Sequence, residues 1–242
     1  MKKVIEAWLR IWLYVMAAAG FVLVIVLVTS WAHFDWITRL AFMTTITLVL
    51  HVLEEWRFPS GFAYMYNTVF RSKRPDRYPM NQLTDMITNF GALLVFSGGL
   101  IFFPGAVWIG TAMCLFCLME LVAHTGFGIS MKKKFQHKGK RTIYNPGYAT
   151  TVFGFLPLLI GYLYFLLING LSTWIDWLSG LAVSILAVLA LIVLPEGLLR
   201  NYDSPYAFMG KQEFGYYKKY VKTTADFPSS EGKAASEVEE PR

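Results

Sequence analysis

Charged side chains are scarce in this chain. Asp, Glu, Lys and Arg make up 16% of its 242 residues, against about 25% in a typical soluble domain. Hydrophobic residues make up 55%, so much of the chain does not meet water and an ordinary soluble domain is excluded. The net charge of +6 does not indicate nucleic-acid binding, because the basic residues lie between apolar runs and share no face with aromatic side chains.

Cysteine is also scarce. The only two, Cys114 and Cys117, lie inside one apolar run, so a disulfide-stapled ectodomain is excluded. We interpret Cys117 as a small packing residue and not as a metal ligand.

Long apolar runs dominate what remains. A spanning helix needs about 20 mostly apolar residues, and the sequence predicts an all-α, polytopic transmembrane helix bundle of about six spans. The first run exceeds the roughly 7–15 residues of a signal h-region, so we predict that it is retained as a helix. The predicted spans are residues 7–30, 37–56, 83–103, 106–129, 144–168 and 173–199.

The remaining segments complete a two-part organisation. Residues 1–200 form the six-helix transmembrane domain, which includes an interfacial segment at 57–80 where aromatic side chains alternate with arginines. Residues 201–242 form a second interfacial segment and then a small, polar tail, which we expect to be disordered from about residue 229.

Basic residues set the predicted orientation. They cluster at the N-terminus, in the second and fourth connections and after the last span, whereas the third and fifth connections contain none. By the positive-inside rule, six spans place both termini in the cytoplasm. We therefore predict a multi-pass protein of the cytoplasmic membrane, with membrane lipids as partners and no nucleic acid; the sequence does not indicate an oligomeric state.

Ionisable side chains inside spans are costly and mark candidate sites. The second span holds His51, Glu54 and Glu55, and the fourth holds Glu120 and His124 at i and i+4, which places each set on one helix face. With six spans, these residues and Asn145 lie at one level near the cytoplasmic side. The topology therefore predicts a single site.

Other interpretations exist for individual residues. Glu54 and Glu55 are also compatible with interfacial charges, Asp85 is best explained as a cap of the third span, and Asn145 as the N-cap of the fifth. Glu120 is hardest to explain in this way. It lies about 12 Å from the nearest loop, and a carboxylate buried there needs a proton, a cation or a metal.

Imidazole and carboxylate groups from two helices suit a divalent metal such as zinc, iron or manganese. We predict His51, Glu54, Glu120 and His124 as metal ligands. Glu55, Glu120 and Asn145 are the predicted catalytic residues.

The leading hypothesis is a metal-dependent, hydrolase-like enzyme acting on a lipid or isoprenoid-like substrate. The alternatives are a proton- or cation-coupled transporter or small-molecule binder using the same carboxylates, and a structural protein whose polar residues join its helices.

The stretch from His51 to Phe62, His-Val-Leu-Glu-Glu-Trp-Arg-Phe-Pro-Ser-Gly-Phe, resembles the HXXEE family of bacterial membrane proteins. A later block, Tyr-Asn-Pro-Gly at 144–147 followed by Thr150-Thr151 and Pro157, is similar to that family's second motif. The similarity covers Thr44 to Pro157. It implies a membrane protein, in a bacterial inner membrane, with a functional His/Glu site and no named reaction.

Overall fold

A computed structural model describes residues 2–221, and this part of the chain is built from helices, with no strand. Six helices are long and apolar enough to cross a membrane, which confirms the predicted six-span bundle; the predicted tail lies outside the described residues. The helices are α1 (Lys2–Thr29), α2 (Trp36–Trp56), α3 (Phe62–Val69), α4 (Gln82–Phe102), α5 (Val107–Phe135), α6 (Tyr148–Ile168), α7 (Trp174–Leu199) and α8 (Lys211–Phe214).

The bundle has one end rich in basic residues and one end that is nearly free of them. Residues 57–81, 136–147 and 200–221 lie at the first, which we call the basic end, and 30–35, 103–106 and 169–173 at the second, the apolar end. This agrees with the predicted alternation. The side of the membrane that each end faces stays a prediction.

The central helix of the bundle is α2, which packs against α1, α4, α5 and α6. In the most apolar stretch of α2, 61% is buried by the rest of the chain. In the corresponding stretch of α7, only 6% is buried. Ionisable residues on α2 are therefore enclosed by other helices, whereas α7 is a peripheral span with most of its surface open to lipid.

Three helix boundaries differ from the predictions by four residues or more. Helix α1 begins at Lys2, ahead of residue 7. Helix α5 continues past residue 129 to Phe135, so Lys132–Lys134 lie in its last turn, where cations interact favourably with the helix dipole. Helix α6 begins at Tyr148, later than residue 144, with Gly147 as its N-cap at φ +91°. The predicted N-cap role of Asn145 is wrong, because its side chain is hydrogen-bonded elsewhere.

Asp85 does not cap α4, which corrects a second expectation. The N-cap is Asn81, whose side chain accepts hydrogen bonds from Leu83 N and Thr84 N in a capping box. Asp85 lies one turn further in, where only 2% of its surface is exposed. Its carboxylate accepts a 2.8 Å hydrogen bond from Asn89 Nδ2. This leaves a buried acidic residue inside the bundle for which capping gives no account.

A wider turn of α7 lies next to its proline. Residues 189–193 of α7 form a π-helical turn ahead of Pro195, which lacks the N–H that would bond the carbonyl of Leu191. That carbonyl instead accepts a 2.7 Å hydrogen bond from Thr88 Oγ1 of α4. The missing backbone bond is thereby replaced, and α7 is joined to α4.

The basic end is covered by two interfacial segments that bind each other. Ser60 Oγ donates to the carbonyl of Lys211 at 2.7 Å, and the Ser60 carbonyl accepts from Tyr216 N at 3.0 Å. Lys140, which is only 1% exposed, lies with its ammonium 4.7–5.8 Å from the rings of three tyrosines of the second segment. The segments predicted to be interfacial therefore form a cover over the helix ends beneath them.

Candidate metal centre

Two facing helices bring four polar side chains to one point near the basic end. His51 and Glu55 come from α2 and Glu120 and His124 from α5, each pair one turn apart. The two imidazole Nε2 atoms lie 3.3 and 3.4 Å from Glu55 Oε1. Both also lie 3.5 Å from Glu120 Oε2. Two nitrogens and two oxygens therefore enclose a common position.

The hydrogen-bond network assigns the proton on His124. Asn145 Nδ2 donates to the carbonyls of His124 at 2.9 Å and Ile143 at 3.1 Å, so the amide oxygen of Asn145 is the atom that faces the ring. That oxygen accepts from His124 Nδ1 at 2.8 Å. The Nδ1 atom therefore carries a proton, and in the neutral imidazole Nε2 presents its lone pair to the centre.

His51 is also protonated at Nδ1. Its Nδ1 lies 2.9 Å from Thr150 Oγ1. The Thr150 hydroxyl has Glu54 Oε2 as an acceptor at 2.7 Å and the Gly147 carbonyl at 3.0 Å. A hydroxyl has one proton to donate, so it accepts from His51 Nδ1, and in the neutral imidazole Nε2 of His51 also presents a lone pair.

With both imidazoles neutral, the two Nε2 lone pairs and the two carboxylate oxygens face one another. Glu55 Oε1 is fully buried and has no hydrogen-bond partner. The separations of 3.3–3.5 Å between imidazole nitrogens and carboxylate oxygens exceed the about 2.7–2.9 Å of charge-assisted hydrogen bonds. His51, Glu120 and His124 can together hold a metal ion, and the donor set suits zinc, iron or manganese.

Gly147 closes the side of the centre formed by α6. Its φ of +91° belongs to the left-handed region that favours glycine. A Cβ at this position would lie 2.7 Å from His51 Cε1 and would overlap Cε1 of His124. The backbone of residue 147 therefore packs directly against both imidazoles, at a distance that no other residue type allows without displacing them.

Glu54 does not join this group, although the sequence predicts it as a ligand. Its carboxylate accepts four hydrogen bonds at 2.7–3.1 Å, from Tyr144, Ala149 N and the amide and hydroxyl of Thr150. It thereby neutralises the N-terminus of α6 and orients Thr150. Burial and the Glu54 carboxylate raise the pKa of Tyr144 above its ordinary value, so its hydroxyl stays a donor.

The other predicted site residues are brought together. His51, Glu55, Glu120 and His124 converge, and Asn145 lies behind His124, bonded to Nδ1 on the far side of the ring from Nε2. Sequence reasoning did not identify Thr150 or Gly147 as functional. Both residues lie in the second motif, and this position could have indicated their roles. A threonine shortly after Asn-Pro-Gly lies at the start of a helix, where its hydroxyl can form a hydrogen bond with another side chain.

An apolar cavity of about 880 Å³ adjoins the centre. Its walls come mainly from α4, α5 and α7, and it extends along α5 from Trp108 to Val122, a rise of ~21 Å. His51, Glu55 and Glu120 line its polar end. Large apolar side chains that line it, such as Leu118 and Ile185, are 44% and 51% exposed, so the cavity communicates with the lipid-facing surface of the spans.

Comparison with known proteins identifies a family whose function is not known. No curated protein and no solved structure matches the chain. Residues 42–162 match the family described as proteins of unknown function with an HXXEE motif, and this range contains all four residues of the centre as well as the turn at Gly147. The chain therefore belongs to the HXXEE family.

Proposed function

We propose that this protein is a metal-dependent membrane enzyme, hydrolase-like in chemistry, that acts on a lipid or isoprenoid-like substrate. The observation that carries the proposal is the convergence of two imidazole nitrogens and two carboxyl groups at one end of a long apolar cavity. A buried group of acceptors needs a proton or a cation, and an apolar cavity within the spans suits a lipid chain.

The residues divide into ligands, a base and positioning groups. His51, His124 and Glu120 would hold a divalent ion. When bound, such an ion supplies Lewis acidity, which polarises a carbonyl or phosphoryl oxygen and acidifies water. Glu55, whose Oε1 has no hydrogen-bond partner, is the group that accepts the proton from the attacking water.

Asn145 and Thr150 act through the imidazoles that they hold. Each binds an Nδ1 atom and so fixes the tautomer and the ring orientation, as partners behind metal-bound histidines commonly do. Glu54 holds Thr150 in turn. These three residues are positioning groups, which replaces the predicted ligand role of Glu54 and the predicted catalytic role of Asn145.

The shape and lining of the cavity favour a lipid over a water-soluble molecule as the substrate. It is about 880 Å³ in volume and lined almost wholly by apolar side chains, and its length along α5, ~21 Å, exceeds the ~15 Å thickness of one hydrocarbon leaflet. A long chain can therefore lie along the cavity with its reactive group at the centre. A transporter site opens in turn to both faces of the membrane. Here residues of the cover, Phe62 and Tyr66 among them, line the cavity at the end where the centre lies.

Metal analysis of the purified full-length protein tests the proposal. We expect stoichiometric zinc, iron or manganese in the wild type and its loss in His51→Ala and Glu120→Gln. The matched controls are His33→Ala, at an exposed position of the apolar end, and Glu6→Gln in α1; both should retain the metal. A wild type without metal after purification free of chelators, or equal metal in all five proteins, would overturn the proposal.

A further inference from the structure

A second, much smaller cavity adjoins the candidate metal centre at the basic end. Its walls come from the end of α2, the start of α3, one residue of α4 and the second interfacial segment, which contributes Phe208 and Gln212. Glu55, Phe62 and Asp85 line both this small cavity and the apolar cavity. These three side chains therefore form the partition between the two cavities, and the proposed base Glu55 belongs to that partition.

The volumes of the two cavities determine what each can hold. The apolar cavity has about 880 Å³ and the small cavity about 10 Å³. The smallest cavities that hold a water molecule have about 10–15 Å³. The small cavity is therefore at the lower limit for one water molecule and excludes a lipid headgroup.

The lining of the small cavity offers a water molecule both donors and acceptors. Glu55 is buried, and its Oε1 atom has no hydrogen-bond partner. Gly61, Phe62 and Ala63 are the N-cap and first residues of α3, and the first N–H groups of a helix have no acceptor within it. Gln212 adds a side-chain amide that both donates and accepts. A buried water needs about 2–4 polar partners, and these groups supply them.

The small cavity lies where the two interfacial segments of the cover meet. Gly61 of the first segment and Gln212 of the second both line it, and the segments are joined beside it by the hydrogen bond from Ser60 Oγ to the carbonyl of Lys211. Lys211 is exposed and Gln212 is partly exposed. The side chain of Gln212 therefore connects the surface of the cover at the basic end with the cavity that contains Glu55.

We propose that the small cavity holds the water consumed in the reaction, so that lipid and water reach Glu55 from different sides, with Gln212 as the positioning residue for this water. The inference rests on the proposed function, because a hydrolase needs both reactants. Glu55 takes one proton from the water while the water oxygen bonds to the electrophilic carbon or phosphorus of the lipid. The same proton passes to the leaving group as its bond to that atom breaks, so one water is consumed and Glu55 is restored.

Hydroxyl-radical footprinting by X-ray radiolysis of the full-length protein in nanodiscs tests for this water, because the radicals form from water and oxidise side chains that touch it. The matched pair is Trp56, which lines the small cavity, and Trp12, which is also buried and packs edge to face on Trp56 at 5.0 Å. We expect Trp56 to be oxidised and Trp12 to stay at background. Oxidation of Trp56 no faster than that of Trp12 would overturn the proposal.

Paired variants assign the oxidation to the small cavity. Ala63→Val adds two methyl groups to its lining, and Ala92→Val makes the same change in the lining of the apolar cavity. We expect oxidation of Trp56 to fall to background in Ala63→Val and to stay unchanged in Ala92→Val; undiminished oxidation in Ala63→Val would overturn the proposal.

The role of Gln212 is tested in the same way. Gln212→Met keeps the length of the side chain without its hydrogen bonds and should lower the oxidation of Trp56, whereas Gln212→Glu keeps an acceptor and should restore it. Equal oxidation in Gln212→Met and the wild type would overturn the positioning role. Because Gln212 belongs to the cover and not to the bundle, this pair still tests the proposal if Ala63→Val does not fold.

Binding of hexadecanol, measured by native mass spectrometry, tests whether the two cavities act separately. Ser184 lines the apolar cavity, and its hydroxyl donates to the Gly180 carbonyl of its own helix, so Ser184→Phe reduces the space for a lipid chain. We expect Ser184→Phe to lose hexadecanol and keep the oxidation of Trp56, and Ala63→Val to show the reverse. Loss of both signals in either folded variant would overturn the separation of the two routes.

The metal content of every sample distinguishes this inference from the proposed function on which it rests. A wild type that is oxidised at Trp56 but contains no metal would contradict the proposed function. A wild type that contains metal but is not oxidised at Trp56 would contradict the water site alone.

Discussion

Replacing Gly147 by alanine tests the geometry of the candidate metal centre most directly. The substitution adds two separate costs. An alanine at φ +91° occupies the left-handed region, which costs ~1–2 kcal/mol. The new Cβ also overlaps His124 and lies 2.7 Å from His51 Cε1, and overpacking of this kind costs ~1–3 kcal/mol.

Gly139→Ala isolates the second cost. Gly139 lies at the same end of the bundle with φ +87°, and nothing lies within 4 Å of the position that its Cβ would occupy. The control therefore carries the backbone strain without the overlap. We expect Gly147→Ala to be ~1–3 kcal/mol less stable than Gly139→Ala, and to bind metal about 10–100-fold more weakly because both imidazoles are displaced.

Two measurements on detergent-solubilised protein decide the outcome: the unfolding transition and the metal bound per chain. If Gly147→Ala keeps its metal and unfolds within ~0.5 kcal/mol of Gly139→Ala, the imidazoles do not pack on this backbone as described. Weaker metal binding in Gly139→Ala as well would show a general effect of the loop and would equally contradict the explanation.

Further expectations concern the surroundings of the centre. Thr150→Val should weaken metal binding about 10–100-fold, because the imidazole of α2 loses its acceptor, and Thr150→Ser should restore it; equal affinities in a competition titration against a chromophoric chelator would refute this. Burial and the charge of Lys219 lower the pKa of Lys140 from 10.5 to about 8. The folded protein then binds fewer protons than the unfolded chain between these values, so raising the pH through this window should stabilise the wild type more than Lys140→Met; parallel melting curves would contradict it. Topology reporters fused at Gly139 and Asn169 should report opposite sides of the membrane, and the same side for both would exclude six spans.

Most of the fold could be predicted because span length and hydropathy are local properties. Each of the six helices needs only a run of about 20 apolar residues, and all six were found. The errors are at helix ends, where several residues compete for one role. Asn81 caps α4 in place of Asp85, and Gly147 begins α6 in place of Asn145. These choices depend on tertiary partners that the local sequence does not specify.

The candidate site was partly predictable for a similar reason. Spacing of i and i+4 places His51 with Glu55 and Glu120 with His124, and both pairs converge. The adjacent residue Glu54 could not be separated from Glu55 in this way. Neighbours on a helix differ by about 100° in direction, and only the position of α6 determines which of the two carboxylates meets the helix N-terminus and which meets the imidazoles.

The side chains of the candidate metal centre and the cavity wall formed by α7 come from different parts of the polypeptide. All four ionisable residues and the turn at Gly147 lie within residues 42–162, whereas residues 181–192 of α7, which form the far wall, lie outside the range shared with the family. Since α7 is the least buried span, its side chains can change size with little effect on the rest of the bundle. Under the proposed function, reactivity and chain-length preference can therefore diverge independently, and α7 is the segment to randomise when one of them is to be altered without the other.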